Sequence, residues 1–370
     1  MSEQSKLPLA GLRVIEVGAV IAAPFSSSLL ADLGAEVIKV EPPKTGDPFR
    51  AMGPAEKGVP LWWGVAARNK RCVTMDLKSP LDKRRFEILA TSADVFIENS
   101  RPGAMDRLGL GYDQLGQLNP RLIMVSISGF GQTGPDAQRP GFGKIAEGMS
   151  GQVAVTGRPD ANPFHIGFSL ADTSAGLTGV FAITMLLYLR DVVGRTRGAH
   201  VDIALYEPLM RMQECQFALR ERLGDGPMRG GTNDPFSWGV GGTENAAITC
   251  HRCADGTWIA VMQEGATSPP DVGARVHALS VDAALADLAT RGIKAARVHD
   301  GLSLATDAYF VARRDVEPYR HDTLGAFTVP GFVPRLHGGD SLNAFRAVPL
   351  GEDNGWMLEQ VARRDDAETS

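Results

Sequence analysis

The sequence predicts an α/β protein, with a large domain on a Rossmann-like parallel sheet and a smaller α+β domain after it. Three observations predict this. Residues 12–41 read as strand, helix, strand, the unit of a parallel crossover. A strand reads at 94–99 after a charged helical pattern at 81–91, and the run at 122–128 is almost continuously apolar, as strands buried on both faces are. From residue 224 the composition turns glycine-rich, and a second set of short strands and helices follows. The large domain is accordingly placed at 1–205 and completed by 328–370, with a linker helix at 206–226 and a small, shortened domain at 227–327.

The elements follow in order. Residues 12–18 form a short apolar strand. Residues 23–33 form a helix with Phe25, Leu29, Leu30 and Leu33 on one face, stopped at Gly34. Residues 35–41 form the next strand. The turn between them, Val17-Gly-Ala-Val-Ile-Ala-Ala-Pro24, is not G-x-G-x-x-G, so the dinucleotide fingerprint is missing and Glu41 is an acid without its motif. Residues 42–71 are loop-rich, with five prolines. Arg71 and Lys78 are expected at opposite ends of one short strand, and Lys70 reads as part of a solvated basic patch. After the strand at 94–99 comes a Pro-Gly turn carrying Arg101, with Arg107 just beyond it. The loop Gly129-Phe-Gly-Gln-Thr-Gly-Pro135 lacks the Lys-Ser/Thr end of a phosphate loop, so a plain turn serves equally well. Residues 198–223 read as a strand entering one long helix, 245–253 and 258–262 as a hairpin, 273–292 as helical and 293–298 as a strand. The charged tail, 363–370, is expected to be disordered.

Composition narrows the function classes. A chain of 370 residues, 44% hydrophobic and 22% charged, has a soluble globular balance and room for one large or two unequal domains. A formal net charge of −5 without a basic run argues against a nucleic-acid partner. Cys250-His251-Arg252-Cys253 has metal-like spacing but no second Cys/His pair at zinc-finger distance, so it reads as a reduced thiol pair in a strand and no metal is expected. Residues 1–6 lack the apolar run of a signal peptide, and a cytoplasmic location is expected.

The stretch that organises the rest is 163–190. Ile166, Phe168 and Leu170 alternate with small residues, as a short strand would. After Asp172 runs a helix that is apolar nearly all round, the pattern of a buried helix. Length and hydropathy also make it the membrane-span candidate, but it holds Thr178 and Thr184 and begins at a carboxylate, so it reads as core. Asp172 sits where free N–H groups and the helix dipole favour negative charge. Position alone leaves a plain N-cap and a catalytic carboxylate both open. Gly167, Gly176 and Gly179 leave room for close approach to the backbone. His165 reads as a structural histidine.

Several segments resemble the class III CoA-transferases, the family of formyl-CoA and carnitine–CoA transferases and α-methylacyl-CoA racemases. They are Gly157…Pro163…Gly167…Asp172…Gly176, Gly46-Asp47-Pro48-Phe49-Arg50, Asn69-Lys70-Arg71 with Asp76-Leu77-Lys78, and Glu98-Asn99-Ser-Arg101-Pro102-Gly103-Ala-Met-Asp-Arg107. The resemblance implies that Asp172 attacks an acyl-CoA and carries CoA as an aspartyl thioester. It also implies that Arg71, Lys78, Asn99, Arg101 and Arg107 hold CoA, and that Gly239, Gly241 and Gly242 form a glycine loop over the thioester. CoA and acyl-CoA are then substrates, a carboxylic acid is the acceptor, no tightly bound cofactor is needed, and the chains form interlocked homodimers. Arginine and lysine suit CoA's phosphates as forked and point charges. The racemases of the family carry a His-Asp pair where this chain has Phe142-Gly143. Racemisation needs a positioned base and acid, which Phe142 is not. Ile21 stands where some members have Gln and Pro140 where the formyl type has Lys, departures that count against the formyl/oxalate substrate pair without deciding it. Three alternatives stay open: an acyl-CoA racemase, a Rossmann oxidoreductase and a non-catalytic CoA-binding partner subunit.

Overall fold

The structure, a computed structural model, describes residues 7–157, 161–223, 247–263, 271–334 and 348–368. The chain opens with β1 (Arg13–Val17), α1 (Ala22–Asp32), β2 (Glu36–Glu41), a 3-10 turn (Pro48–Ala51), β3 (Ala55–Glu56), β4 (Val59–Pro60) and α2 (Leu61–Ala66). It continues through β5 (Lys70–Thr74), α3 (Pro80–Ala90), β6 (Val95–Glu98), α4 (Ala104–Leu108), α5 (Tyr112–Leu118) and β7 (Ile123–Ser128). Next come α6 (Gly143–Met149), α7 (Gln152–Val155), α8 (Leu170–Asp191), β8 (Ala199–Ala204), α9 (Glu207–Met212) and α10 (Glu214–Leu223). Last are β9 (Ala247–Arg252), β10 (Trp258–Gln263), α11 (Val272–Ala278), α12 (Val281–Thr290), β11 (Ala295–Val298), α13 (Gly301–Thr306), α14 (Ala308–Arg313), β12 (Val316–His321), β13 (Gly325–Pro330) and α15 (Asn354–Glu368).

Two compact units form. The first comprises Met1–Ser150, Ile166–Met212 and Glu317–Ser370, the second Gly151–His165 and Gln213–Val316. The first holds a six-stranded parallel sheet in the order β5-β2-β1-β6-β7-β8. Ile15 in β1 stands opposite Ile38 in β2 on one side and Phe96 in β6 on the other. Numbered along the chain, these strands run 3-2-1-4-5-6, so the winding reverses between β1 and β6. Both faces are covered. Val14, Ile97 and Val125 pack with α1 and α8, while Ile15, Phe96 and Met124 pack with Phe86 and Leu89 of α3 and Met357 of α15. Burial on both sides is why apolar residues stand next to one another in these strands, as in Val14-Ile15 and Val95-Phe96-Ile97. The second unit has its own core, with Ile259 and Val261 of an antiparallel β11-β10-β9 sheet under Val276 of α11 and Ala284 and Leu288 of α12.

Several expectations are corrected. No strand precedes Asp172; residues 161–169 are irregular. The helix carrying it, α8, is buried on one face only. Ala175, Gly176, Gly179 and Ile183 pack inward, while Leu177 (52% exposed), Phe181 (70%), Met185 (47%) and Tyr188 (60%) form an outward apolar stripe. What approaches Gly176 is α1: a Cβ there would stand 3.0 Å from the Ala22 carbonyl, and Ser26 donates to the Gly176 carbonyl at 2.9 Å. The helical stretch 206–223 is two helices, as is 273–292, which breaks before Ser280. The charged tail is not disordered through Glu368, since α15 packs on α3 and β5. Just ahead of it Asp353 accepts from the Cys72 N–H, and Asn354, at its start, from that of Thr74, so two side chains occupy the open edge of β5. Lys70 is not solvated but buried within the sheet.

Candidate active site

The carboxyl ends of β1, β6, β7 and β8 open into a cleft of about 410 Å³ at the point where the winding reverses. Ala19–Ala22 come from the β1–α1 turn, Asn99–Pro102 from the end of β6, Ser128 and Gly129 from the end of β7 and Leu205 from the end of β8; Ala137, Arg139–Lys144 and Asp172 complete the lining. Open parallel sheets bind ligands at this place because crossover loops diverge there and leave a crevice.

The β1–α1 turn is held without a glycine fingerprint. Asn99 grips Ala19 twice, accepting from its N–H and donating to its carbonyl, both at 2.8 Å. Asp47 accepts from the N–H groups of Val20 (3.0 Å) and Phe49 (2.9 Å). Between these grips Val20 takes φ +65°, a left-handed conformation that costs a β-branched residue on the order of 1–3 kcal/mol. Underneath lies a buried ion cluster. Lys39 pairs with Glu16 (2.6 Å) and Asp47 (2.8 Å) and donates to the Gly18 carbonyl. Lys70 pairs with Glu16 (2.9 Å) and donates to the Pro24 carbonyl. Burial opposes ionisation of Glu16, but Lys39 and Lys70 bring its carboxyl down to about 2. Burial works against charge on Lys39 too, and Glu16 and Asp47 hold it above its ordinary range. Lys70, most affected by burial, falls below its ordinary value. Glu41 pairs with Arg50 through both oxygens at 2.7 Å, which gives that acid a structural role.

Asp172 lies in the first turn of α8, with its carboxylate against Gly143, the first residue of α6. A Cβ on residue 143 would collide with Oδ2, so glycine is required for this approach. Burial, and then the nearby Glu147 carboxylate, push Asp172 up from 3.8 to about 6, against smaller opposing pulls from a backbone N–H and from Lys144. The Lys144 ammonium is spent on Glu147 (2.9 and 3.0 Å) and on the carbonyls of Ile166 (2.8 Å) and Phe168 (2.6 Å). The result is a carboxylate with enhanced basicity in a partly dry cleft, a geometry suited to attack on a carbonyl carbon.

Residues 9–279 match the family model described as CoA-transferase family III. The chain belongs to that family. It is 33% identical, over 95% of its own length and 94% of the relative's, to succinyl-CoA–D-citramalate CoA-transferase of Chloroflexus aurantiacus. It is 39% identical to acetyl-CoA:oxalate CoA-transferase of Acetobacter aceti over 62% of this chain and 59% of that one. Among solved structures, a CAIB/BAIF family protein from Brucella suis superposes with a TM-score of 0.83 at 28% identity, over 96% of this chain and 100% of that one.

Within this family III CoA-transferase, the structure brings three of the expected site residues to one cleft: Asp172, Asn99 and Arg101. The Asn99 amide, expected to hold CoA, is committed to Ala19. Arg101 is exposed and makes no side-chain hydrogen bond or ion pair among the described residues. Arg107, exposed on α4 with its guanidinium over Gly103, and Lys78, exposed beyond β5, are outside the cleft lining. Arg71 is the second residue of β5 and Lys78 lies four residues past its end, so the two do not bracket one strand. Its guanidinium stacks 4.2 Å from the Trp356 ring and faces Glu36 and Asp353. Gly239, Gly241 and Gly242 fall outside the described residues. Sequence reasoning missed Lys144, Arg139 and Ser128. The Ser128 hydroxyl is buried with no partner among the described residues. A signal for Lys144 was available in its position next to Gly143.

Proposed function

We propose that this enzyme moves CoA from one carboxylic acid to another through a thioester on Asp172. An Asp172 oxygen attacks the acyl-CoA carbonyl carbon; the C–O bond forms, the C–S bond breaks, and an anhydride and CoA thiolate result. The thiolate attacks the Asp172 carbonyl of that anhydride, forming the Asp172–CoA thioester and releasing the donor acid as its carboxylate. The acceptor carboxylate then attacks the thioester, thiolate leaves, and thiolate attack on the acyl carbonyl of the second anhydride returns free Asp172 and new acyl-CoA. No proton is gained or lost overall. The observation that carries this reading is the Asp172 carboxylate, raised in pKa and set against Gly143 at the sheet's switch point. A carboxylate nearer neutrality in pKa is a better nucleophile while still ionised at pH 7. The start of α1 contributes Ala22 to the same cleft, and its unpaired first-turn N–H groups are assigned as oxyanion donors.

Arg101, Arg107 and Lys78, exposed and without ion pairs among the described residues, are assigned to CoA's phosphates, and Gly239, Gly241 and Gly242 to the cover over the thioester. Dicarboxylic acids, named in the relatives' activities, are the first acids to test. The apolar stripe of α8 is assigned to a homodimer interface, and the enzyme to the cytoplasm. The racemase reading lacks its second group, because Gly143 has no side chain and Phe142 cannot carry a proton. The deciding experiment is intact-protein mass after incubation with succinyl-CoA, followed by peptide mapping. An adduct of CoA mass on Asp172, absent in Asp172→Ala, is expected. Solvent deuterium entering the α-carbon without an adduct would establish the racemase, and CoA binding with neither reaction would establish a silent partner subunit.

A further inference from the structure

We infer that Arg139 forms a second carboxylate site in the Asp172 cleft, one that selects dicarboxylic acids over monocarboxylic ones. The inference rests on the transfer reading above and names the substrate feature that reading leaves open. Among the described residues, three side chains with formal positive charge line the cleft: Arg101, Arg139 and Lys144. Lys144 is neutralised by Glu147 and two carbonyls, so it has nothing left for a ligand. Arg101, in the β6–α4 turn, is followed on α4 by Arg107, outside the lining, and that succession suits the long, phosphate-bearing CoA arm. Arg139 differs in both respects. It lies four residues before Gly143, on the segment that forms the wall against which the Asp172 carboxylate rests.

That segment is firmly seated. A Cβ on Gly129 would stand 2.8 Å from the Gly141 Cα, and one on Gly141 would stand 2.9 Å from the Gly129 Cα, so the two backbones touch as only glycines allow. Phe130, buried beside this contact, has the Arg139 guanidinium over its ring, 5.2 Å from the centroid. The ring holds the guanidinium near this wall, and among the described residues only Asp136 takes one of its N–H groups. Its ion pair with Asp136 is long, 3.4 Å, and open to solvent on both sides, so water and ions compete for it. A ligand carboxylate taking two parallel N–H bonds in the partly enclosed cleft displaces such a pair readily. An acid with one carboxylate at Asp172 and a second at Arg139 is held at both ends, which fixes the reacting end for attack. An acid with an apolar tail leaves the guanidinium unpaired.

The test uses the full chain loaded as the CoA adduct and then discharged by succinate or by butyrate, acids of equal chain length. Wild type is expected to discharge faster with succinate. In Arg139→Gln the succinate-to-butyrate ratio of rate constants is expected to fall about 10- to 100-fold, the loss of one charge-assisted bidentate contact. Arg139→Lys is expected to recover part of it. An equal loss with both acids, an unchanged ratio, or a weakened affinity for acyl-CoA as the sole effect would overturn the assignment; the last would make Arg139 a CoA contact. Failure of the transfer reading is separated by a binding arm. In Asp172→Asn, which cannot load, succinate is expected to bind more tightly than butyrate, and Arg139→Gln in that background is expected to abolish the difference. Equal binding of both acids there would sink the site whatever the enzyme's reaction.

Discussion

Asp172 is held at some cost to the fold. Its carboxyl rises from 3.8 to about 6 because burial and Glu147 disfavour the charge. A raised acid pKa means that the folded state resists ionisation, so stability is lost as pH climbs from about 4 through 6. Asp172→Asn should therefore melt higher than wild type at pH 7 and lose that advantage at pH 4, measured by thermal denaturation. The proposed reaction needs the ionised form, so adduct formation should fall off below an apparent pKa near 6. Glu147→Gln removes a charge that raises this value, and the acid limb of the profile should move to lower pH. A limb that stays in place in that variant would detach the profile from Asp172. The residue itself was legible in sequence only in part. Its place at a helix start fitted a cap as well as a nucleophile, and only the segment's resemblance implied the role proposed for it. The contact with Gly143 was beyond reach, because residues 29 positions apart meet only once α6 and α8 are packed.

The β1–α1 turn is the element on which the cleft depends. In dinucleotide-binding folds glycines let this turn close; here Asn99, Asp47 and the Glu16–Lys39–Lys70 cluster pin it instead. Glu16→Gln leaves two buried ammonium groups short of compensation, and a loss of about 3 kcal/mol or more in unfolding free energy is expected by denaturant titration. The sign with pH follows from the depressed carboxyl. Stability from Glu16 is present above about 4.5 and is lost as pH falls through about 2. Reading this element from sequence succeeded for the strands and failed for the charges. Val14, Ile15, Val37 and Ile38 announce buried strands through apolar runs. Lys39 and Lys70 look like surface residues, because composition cannot show that their partners are waiting inside. The same limit explains α8, whose all-round apolar pattern predicted burial on every side although one face stays open within a single chain.

At the level of the whole molecule, the parallel sheet was legible as alternating strands and helices, but its order was not, since that order depends on where each crossover returns. The open face of α8 is the feature that a single chain leaves unexplained. Leu177, Phe181, Met185 and Tyr188 follow the spacing of one helical side, and exposed apolar area of this kind marks an interaction surface. For the proposed homodimer, light scattering should give twice the 39.5 kDa chain mass, and Phe181→Lys should shift the population toward monomer. A wild-type monomer across micromolar concentrations would remove the assignment.

The ion cluster beneath the turn also constrains how this sequence can change over generations. Glu16, Asp47, Lys39 and Lys70 balance one another, so any single replacement strands a charge in a dry interior. A lineage can leave this arrangement only by two near-simultaneous steps that remove opposite charges together, or after gaining stability elsewhere. The turn is thus held by mutually dependent charges, whereas the Arg139 side chain, with only the exposed Asp136 as ion-pair partner among the described residues, can be replaced without stranding a buried charge. Divergence in this enzyme should accordingly alter which acid is accepted long before it alters the floor on which that acid is placed.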